Sequence, residues 1–326
     1  MTDLVVHTES WPIRGSFAIS RGTKTTAEVV LVELHDDACV GRGECVPYAR
    51  YRESCDSVVA QIESMRSAVR QGMDREELQT RLAAGAARNA LDCAYWDLQA
   101  KRSQRRVYEL LALPAVQPLT TAYTLSLGSP DAMYQAAREH ARRPLLKLKL
   151  GGQGDVERVQ AVRRGAPRAR LIVDANEGWD AELYRHLVPE LLSLDVEMIE
   201  QPLPADADEA LRSLPRPIPI CADESAHTAD SLCRVVDRYD MVNIKLDKTG
   251  GLSEALRLRA AAEAAGLGIM VGCMLATSLA MAPATLLAQG AAIVDLDGPL
   301  LLEHDRQPGL RFDNNRVYPP SPELWG

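Results

Sequence analysis

Leu171-Ile172-Val173-Asp174, Met198-Ile199-Glu200, Ile220-Cys221-Ala222-Asp223 and Met241-Val242-Asn243-Ile244-Lys245 punctuate residues 171–245, and each is an apolar run that ends in a charge. The steps between the terminal charges, 174 to 200, 200 to 223 and 223 to 245, are 26, 23 and 22 residues. That is the length of one strand, one helix and short loops. Leu145-Leu146-Lys147-Leu148-Lys149 precedes them in the same form. In a parallel α/β barrel the strand ends converge on one face. The spacing therefore predicts a single site that gathers the carboxylates of Asp174, Glu200 and Asp223 with the ammonium groups of Lys149 and Lys245.

Working outward, the chain from Pro118 alternates between two patterns. Strands are expected near 119–124, 145–149, 171–175, 197–201, 219–223, 241–245, 268–272 and 291–296, with helical periodicity over 155–164, 182–192 and 253–265. Eight strands and their intervening helical stretches make a barrel. The first hundred residues differ. Thr26 to Leu34 alternates and is β-branched, His35-Asp36-Asp37 makes a turn, and Cys39 to Glu44 continues an antiparallel meander. Helical period follows over 57–70 and 88–101, so strands and helices are segregated as in an α+β domain. The expected division is an α+β domain over 1–115, a barrel over 116–300 and a Pro-rich segment over 301–326 that returns to the first domain.

Composition narrows the function. With 326 residues and 46% hydrophobic content the chain can bury a large core. A net charge of -8 argues against a nucleic-acid partner, which wants a basic face; a small ligand is expected. Seven cysteines without a CxxC pair fit reduced thiols in a cytoplasmic protein. Residues 263–295 lack charge between Glu263 and Asp295 but are broken by glycines and Pro283, which reads as barrel core and not as a membrane span.

Three oxygen-donor carboxylates suit a hard cation, Mg2+ or Mn2+, and without one they would repel. Lysines on two different strands can flank a substrate held on that cation. A lysine acts as a base near neutral pH only if its pKa falls by roughly 3 units, about 4 kcal/mol. Lys147 and the cation would both push Lys149 that way. Proton abstraction beside a carboxylate, with the metal stabilising an enediolate, is the chemistry that needs both.

Leu-Lys-Leu-Lys-Leu-Gly-Gly at 146–152, Val-Asp-Ala-Asn-Glu-Gly-Trp at 173–179, Ile-Glu-Gln-Pro at 199–202, Ala-Asp-Glu-Ser at 222–225 and Asn-Ile-Lys-Leu-Asp-Lys-Thr-Gly-Gly at 243–251 resemble the muconate-lactonising branch of the enolase superfamily. Gly41-Arg42-Gly43-Glu44-Cys45-Val46-Pro47-Tyr48 resembles that family's capping-domain loop. The resemblance implies a capping domain on a modified (β/α)7β barrel, Mg2+ on Asp174, Glu200 and Asp223, and Lys149 and Lys245 as opposed acid and base. Asp295-Leu296-Asp297 and Gly272-Cys273-Met274-Leu275-Ala276-Thr277-Ser278 resemble the dipeptide epimerases, particularly the L-Ala-D/L-Glu type. By that resemblance Asp295 and Asp297 hold the dipeptide's α-ammonium, Lys147 lies among the substrate-binding groups, and Arg21 or Lys24 pairs with an acidic side chain. Asp295 and Asp297 could instead cap the last turn or pair with Arg306. Asn176 and Glu224 adjoin the ligands and are expected to orient them. The expected reaction is epimerisation of the C-terminal residue of a dipeptide. Cycloisomerase, o-succinylbenzoate synthase and N-acylamino-acid racemase activities are the alternatives. A homo-oligomer, no membrane association and a place in murein peptide metabolism complete the expectation.

Overall fold

The computed structural model describes residues 2–37, 39–313 and 316–326. Strands β1 (Asp3–Ile19), β2 (Gly22–Asp36) and β3 (Cys39–Cys45) form an antiparallel sheet in sequence order. The 17-residue β1 pairs with β2 from Asp3↔His35 to Ile19↔Gly22, so the Ser20-Arg21 turn stands at the far end of a long hairpin. Behind the sheet lies the helix Ala86–Ser103, almost every turn of which is buried. Its contact with β3 is backbone-close: a Cβ at Gly43 would lie 2.0 Å from Ala90 O, and one at Gly41 2.3 Å from Ala94 O. The Gly-Arg-Gly of the capping-loop motif lies in β3, in the meander expected there, before the chain runs into the loop at 46–48, and its glycines admit the helix. The helical pattern over 57–70 is two helices, Cys55–Ser64 and Arg66–Arg70, meeting at Met65.

The second sheet is parallel and runs in chain order through β5 (Tyr123–Leu125), β6 (Leu145–Lys149), β7 (Arg170–Asp174), β8 (Val196–Glu200), β9 (Ile220–Ala222), β10 (Met241–Ile244), β11 (Gly268–Val271) and β12 (Ile293–Val294). Ala122 N donates to Val294 O at 2.8 Å, which joins the last strand to the first and closes the barrel. The strand expected over 119–124 divides. Leu119–Thr120 is β4, and it pairs with β14 (Arg316–Val317), itself paired with β13 (Phe312–Asp313), outside the barrel. Helices Pro130–Glu139, Asp155–Gly165, Ala181–Ser193, Leu252–Ala264 and Ser278–Leu287 fill most crossovers. From β8 to β10 only single turns occur, the longest being Glu209–Arg212 and Leu232–Val235. The uncharged 263–295 segment is β11, a helix and β12, and among the described residues no helix is long and apolar enough to cross a membrane.

Side chains alternate along a strand, so inward positions recur every second residue. Ala122, Leu145, Ile172, Met198, Cys221, Met241, Met270 and Ile293 form one buried layer that plugs the barrel. Two residues further on, the same inward rule delivers Thr124, Lys147, Asp174, Glu200, Asp223, Asn243, Gly272 and Asp295. The apolar plug is thus the floor of a polar layer. Near the carboxyl end of the chain, Trp325 Nε1 donates to Cys93 O and Gly326 N to Asp97 Oδ1 of the helix Ala86–Ser103.

Candidate active site

Strand register sets the polar layer. Lys149 stands opposite Asp174, Asp174 opposite Glu200, and Glu200 opposite Cys221, two residues before Asp223. All three carboxylates and both lysines are buried. Lys149 Nζ lies 2.6 Å from Asp174 Oδ2, and Lys245 Nζ 2.6 Å from Asp223 Oδ2. Lys147 Nζ bridges three acids: Glu200 Oε2 at 2.6 Å, Asp295 Oδ2 at 2.7 Å and Asp174 Oδ2 at 3.2 Å.

Three further neighbours hold this layer in place. Asn243 Nδ2 donates to Glu200 Oε1 at 2.7 Å. Lys248, fully buried, donates to Asp223 O and Asn243 O and lies 2.7 Å from Asp223 Oδ1. Gln201 Oε1 accepts from Asp223 N and Ser225 N. Lys248 falls three residues after Lys245, one helical turn, and Gln201 sits inside the Ile-Glu-Gln-Pro motif, so both signals were present in the sequence. Asn176 N donates to Asp174 Oδ1 at 2.9 Å, and Glu224 accepts from Arg21 at 2.7 Å.

The charges push one another. Burial and the neighbouring Asp174 raise Glu200 to about 7. Burial also acts on Asp174 and Asp223, but the lysines beside each outweigh it and hold both carboxyls below the ordinary range. Lys245 is raised: burial disfavours its charge, yet Asp223 and Glu200 overcome that. Lys147 goes the same way, through Asp295 and Glu200. For Lys245 the direction is opposite to what a base needs, because the carboxylates of Asp223 and Glu200 lie beside it.

Whether a cation fits can be asked of the donors themselves. Among the described residues no three acidic, histidine or cysteine side chains are gathered closely enough to hold a metal as they stand; lysine ammonium groups sit between the carboxylates. The donor set is nevertheless all oxygen, as a hard cation requires. Glu200 Oε2 and Asp223 Oδ1 make no hydrogen bond, with only a lysine charge beside each, and the buried Asp295 Oδ1, Asn243 Oδ1, Asn176 Oδ1 and Glu224 Oε2 also make none. So many buried oxygens without donors are costly unless a positive charge serves them. The chemistry of the set fits Mg2+.

A cavity of about 500 Å³ opens over Lys149 and Lys245, roofed by Phe17, Arg21, Lys24 and Tyr48 of the N-terminal domain. Arg21 is already engaged, donating to Asn176 O at 2.8 Å, Glu224 Oε1 at 2.7 Å, Tyr48 OH at 3.0 Å and Glu177 Oε2 at 3.2 Å. Lys24 lies 5.5 Å over the Tyr48 ring and makes no ion pair among the described residues. A small recess adjoins, lined by Phe17, Lys147, Lys149, Asp295 and Asp297. Asp297 Oδ2 accepts from Thr124 N at 2.6 Å, and burial with Asp295 raises its carboxyl to about 7. Arg306 does not pair with either acid. Its guanidinium is spent on Glu9, Glu44 and the Thr277 hydroxyl. Asp297 does precede the last short helix, but its side chain makes no capping bond there.

Residues 132–322 match the enolase C-terminal domain-like family, and residues 1–112 match the mandelate racemase/muconate lactonizing enzyme N-terminal domain. The chain belongs to the mandelate racemase/muconate lactonizing enzyme family. It is 47% identical to the L-Ala-D/L-Glu epimerase of Escherichia coli (strain K12) over 98% of this chain and 100% of that one. It is 46% identical to an N-acetyl-D-glutamate racemase of Pseudoalteromonas sp over 91% of this chain and 95% of that one. A crystal structure of an enolase family member from Agrobacterium tumefaciens with homology to dipeptide epimerases, holding sodium and L-Ala-L-Glu with an ordered loop, shares 53% identity. It superposes with a TM-score of 0.98 across 100% of both chains. The barrel and its N-terminal cap are therefore those of the family.

Proposed function

We propose that this protein is an isomerase that epimerises the C-terminal residue of a dipeptide, L-Ala-D/L-Glu or a close relative, by Mg2+-assisted 1,1-proton transfer. The observation that carries the reading is the presence of Lys149 and Lys245 on one cavity, each on a carboxylate of the polar layer. Asp174, Glu200 and Asp223 hold the cation. When bound, Mg2+ supplies positive charge that stabilises the substrate carboxylate as the α-carbon beside it loses its proton.

Lys149 removes the α-proton from one face and Lys245 returns a proton on the other; the reverse reaction exchanges their tasks. Carboxylates now hold Lys245 protonated, so cationic charge on those carboxylates is what lowers its affinity for the proton toward the working range. Asp295 and Asp297 receive the α-ammonium of the dipeptide, where Lys147 now supplies the countercharge to Asp295. Lys24 meets the side-chain carboxylate, and Arg21 orders the roof through Glu224 and Asn176. Residues 1–115 serve as cap, 116–300 as catalytic barrel and 301–326 as the return to the cap. All seven cysteines are unpaired, which supports a cytoplasmic setting, and the substrate chemistry suits murein peptide metabolism.

The test is proton NMR of L-Ala-L-Glu with the protein and Mg2+ in D2O. Loss of the Glu α-proton signal together with diastereomer peaks is expected. Exchange with N-acetylglutamate and none with any dipeptide would move the activity to acylamino-acid racemisation and refute the role of Asp295 and Asp297.

A further inference from the structure

The two lysines of the cavity are held by different parts of the molecule. Beyond Lys149, Gly151 N and Gly152 N donate to Asp155 at 3.1 and 2.8 Å, Trp179 Nε1 donates to Asp155 Oδ2 at 2.8 Å, and Leu150 N donates to Asp174 O at 2.9 Å. Every one of these bonds lies within the barrel. Beyond Lys245 come the short helix Leu246–Thr249, a Gly250-Gly251 turn and the helix Leu252–Ala264. That turn is bonded to the cap.

The cap helix Ala86–Ser103 supplies the contacts. Arg88 Nη2 donates to Thr249 O at 2.7 Å and its Nε to Gly250 O at 3.1 Å. Asn89 Nδ2 donates to Asp247 Oδ1 at 2.8 Å, and Val46 N, at the end of β3, donates to the same oxygen at 3.0 Å. Asp92 accepts from Ser253 N at 2.9 Å and from Ser253 Oγ at 2.6 Å, while Trp96 Nε1 donates to Ser253 Oγ at 3.0 Å. Residues 88, 89, 92 and 96 share one helical face. The fit is tight, since a Cβ on Gly251 would lie 2.5 Å from Asp92. Asp92 and Asp247 are buried carboxylates whose hydrogen-bond donors are neutral, an arrangement that costs stability and is kept where it fixes position.

We infer that this face of the cap helix, through Asp247, is a positioning device for Lys245 and not for Lys149, whose contact with the cap is the Phe17 ring of the hairpin, 5.8 Å from its Nζ, so that the cap helix governs proton transfer on one face of the substrate only. The inference rests on the reading of the two lysines as opposed acid and base. Lys248 on the same turn keeps Asp223 through bonds of its own to Asp223 O and Asn243 O, which leaves the shared carboxylates in place when Asp247 is altered.

The experiment measures α-proton loss in D2O, with Mg2+, separately for L-Ala-L-Glu and L-Ala-D-Glu. Lys245→Ala calibrates it and should abolish exchange for one epimer alone. Asp247→Ala should slow exchange of that same epimer by about tenfold or more and leave the other within about threefold, the scale expected when a reacting group is misplaced by a fraction of an ångström. Asp247→Asn, which keeps the accepting oxygen, should restore the slowed epimer. Should Asp247→Ala fail to fold, Asn89→Ala removes one donor from the same oxygen and must show the same selectivity. Equal slowing of both epimers by Asp247→Ala, no slowing, or no rescue by Asp247→Asn would each overturn the positioning role while Lys245→Ala stays face-selective. A Lys245→Ala protein that loses both epimers equally overturns the two-base reading, and this inference with it.

Discussion

Lys24 and Arg21 stand three residues apart at the tip of the β1–β2 hairpin and carry the same charge, yet their surroundings assign them different work. Arg21 spends its guanidinium on Glu224, Glu177, Tyr48 and the Asn176 carbonyl, whereas Lys24 faces the cavity without an ion-pair partner among the described residues. A hydrogen bond to a charged group contributes roughly 1.5–3 kcal/mol, so Lys24→Ala is predicted to raise KM for L-Ala-L-Glu by about 10- to 100-fold with little change in kcat. An unchanged KM would show that the acidic side chain is met elsewhere. Asn243 offers a second test at this scale. A Cβ on Gly272 would fall 2.6 Å from Asn243 Oδ1, so Gly272→Ala must turn the amide that now donates to Glu200. Groups that orient metal ligands typically contribute 10- to 100-fold in affinity, and calorimetric titration with Mg2+ should show a loss of about that size. The strand-end charges were legible in the sequence because a charge ending an apolar run is a one-dimensional signal. The bond of Asn243 to Glu200 and the engagement of Arg21 were not, because each is defined by what another strand or domain brings beside it.

At the scale of elements, the packing of β3 on the helix Ala86–Ser103 depends on the absence of side chains. An alanine at 43 would press its Cβ into the Ala90 carbonyl, a backbone atom that cannot rotate aside. Overpacking of this kind costs about 1–3 kcal/mol or more, and Gly43→Ala should lower the denaturant midpoint accordingly. Gly128→Ala, where the Cβ would make only ordinary contact at 3.5 Å, should stay within about 0.5 kcal/mol. Equal midpoints would refute the close-packing account. The barrel strands and most of its helices were readable because each obeys one period and buries one face. Strand β1 escaped, since Asp3–Ile19 is largely half-exposed and polar and gains its order from pairing along β2. The helices expected between β8 and β10 are single turns, and Leu119–Thr120 joins β14, a partner almost two hundred residues away that no local pattern announces.

Across the whole molecule the pH dependence of stability between pH 5 and 8 should be dominated by four buried carboxyls raised to about 7, Glu200, Glu224, Asp247 and Asp297, which outweigh the opposite effect of His227, lowered by burial to about 4. Burial first, then the charge of Asp174, raises Glu200 from an ordinary 4.5 to about 7, and burial raises Asp247 from 3.8 to about 7. Between those values the folded chain keeps protons that the unfolded chain has released, so the folded state loses stability as pH rises from about 4.5 through 7. The contribution is fully present below the unfolded values, and shifts of this size correspond to about 3–4 kcal/mol each. Asp174 and Asp223, held low by their lysines, act in the other sense, and their contribution is lost only in strong acid. Mg2+ needs the ionised carboxylates, so its stabilising effect should grow over the same window in which the metal-free protein weakens. Thermal unfolding from pH 5 to 8 is therefore predicted to show a falling midpoint without Mg2+ and a flatter or rising one with it. The two curves should meet near pH 5, where Glu200 is protonated and the cation must compete for its oxygens. A stabilisation by Mg2+ that is as large at pH 5 as at pH 8 would mean that the cation is held by groups other than Glu200, and the three-carboxylate site would have to be redrawn.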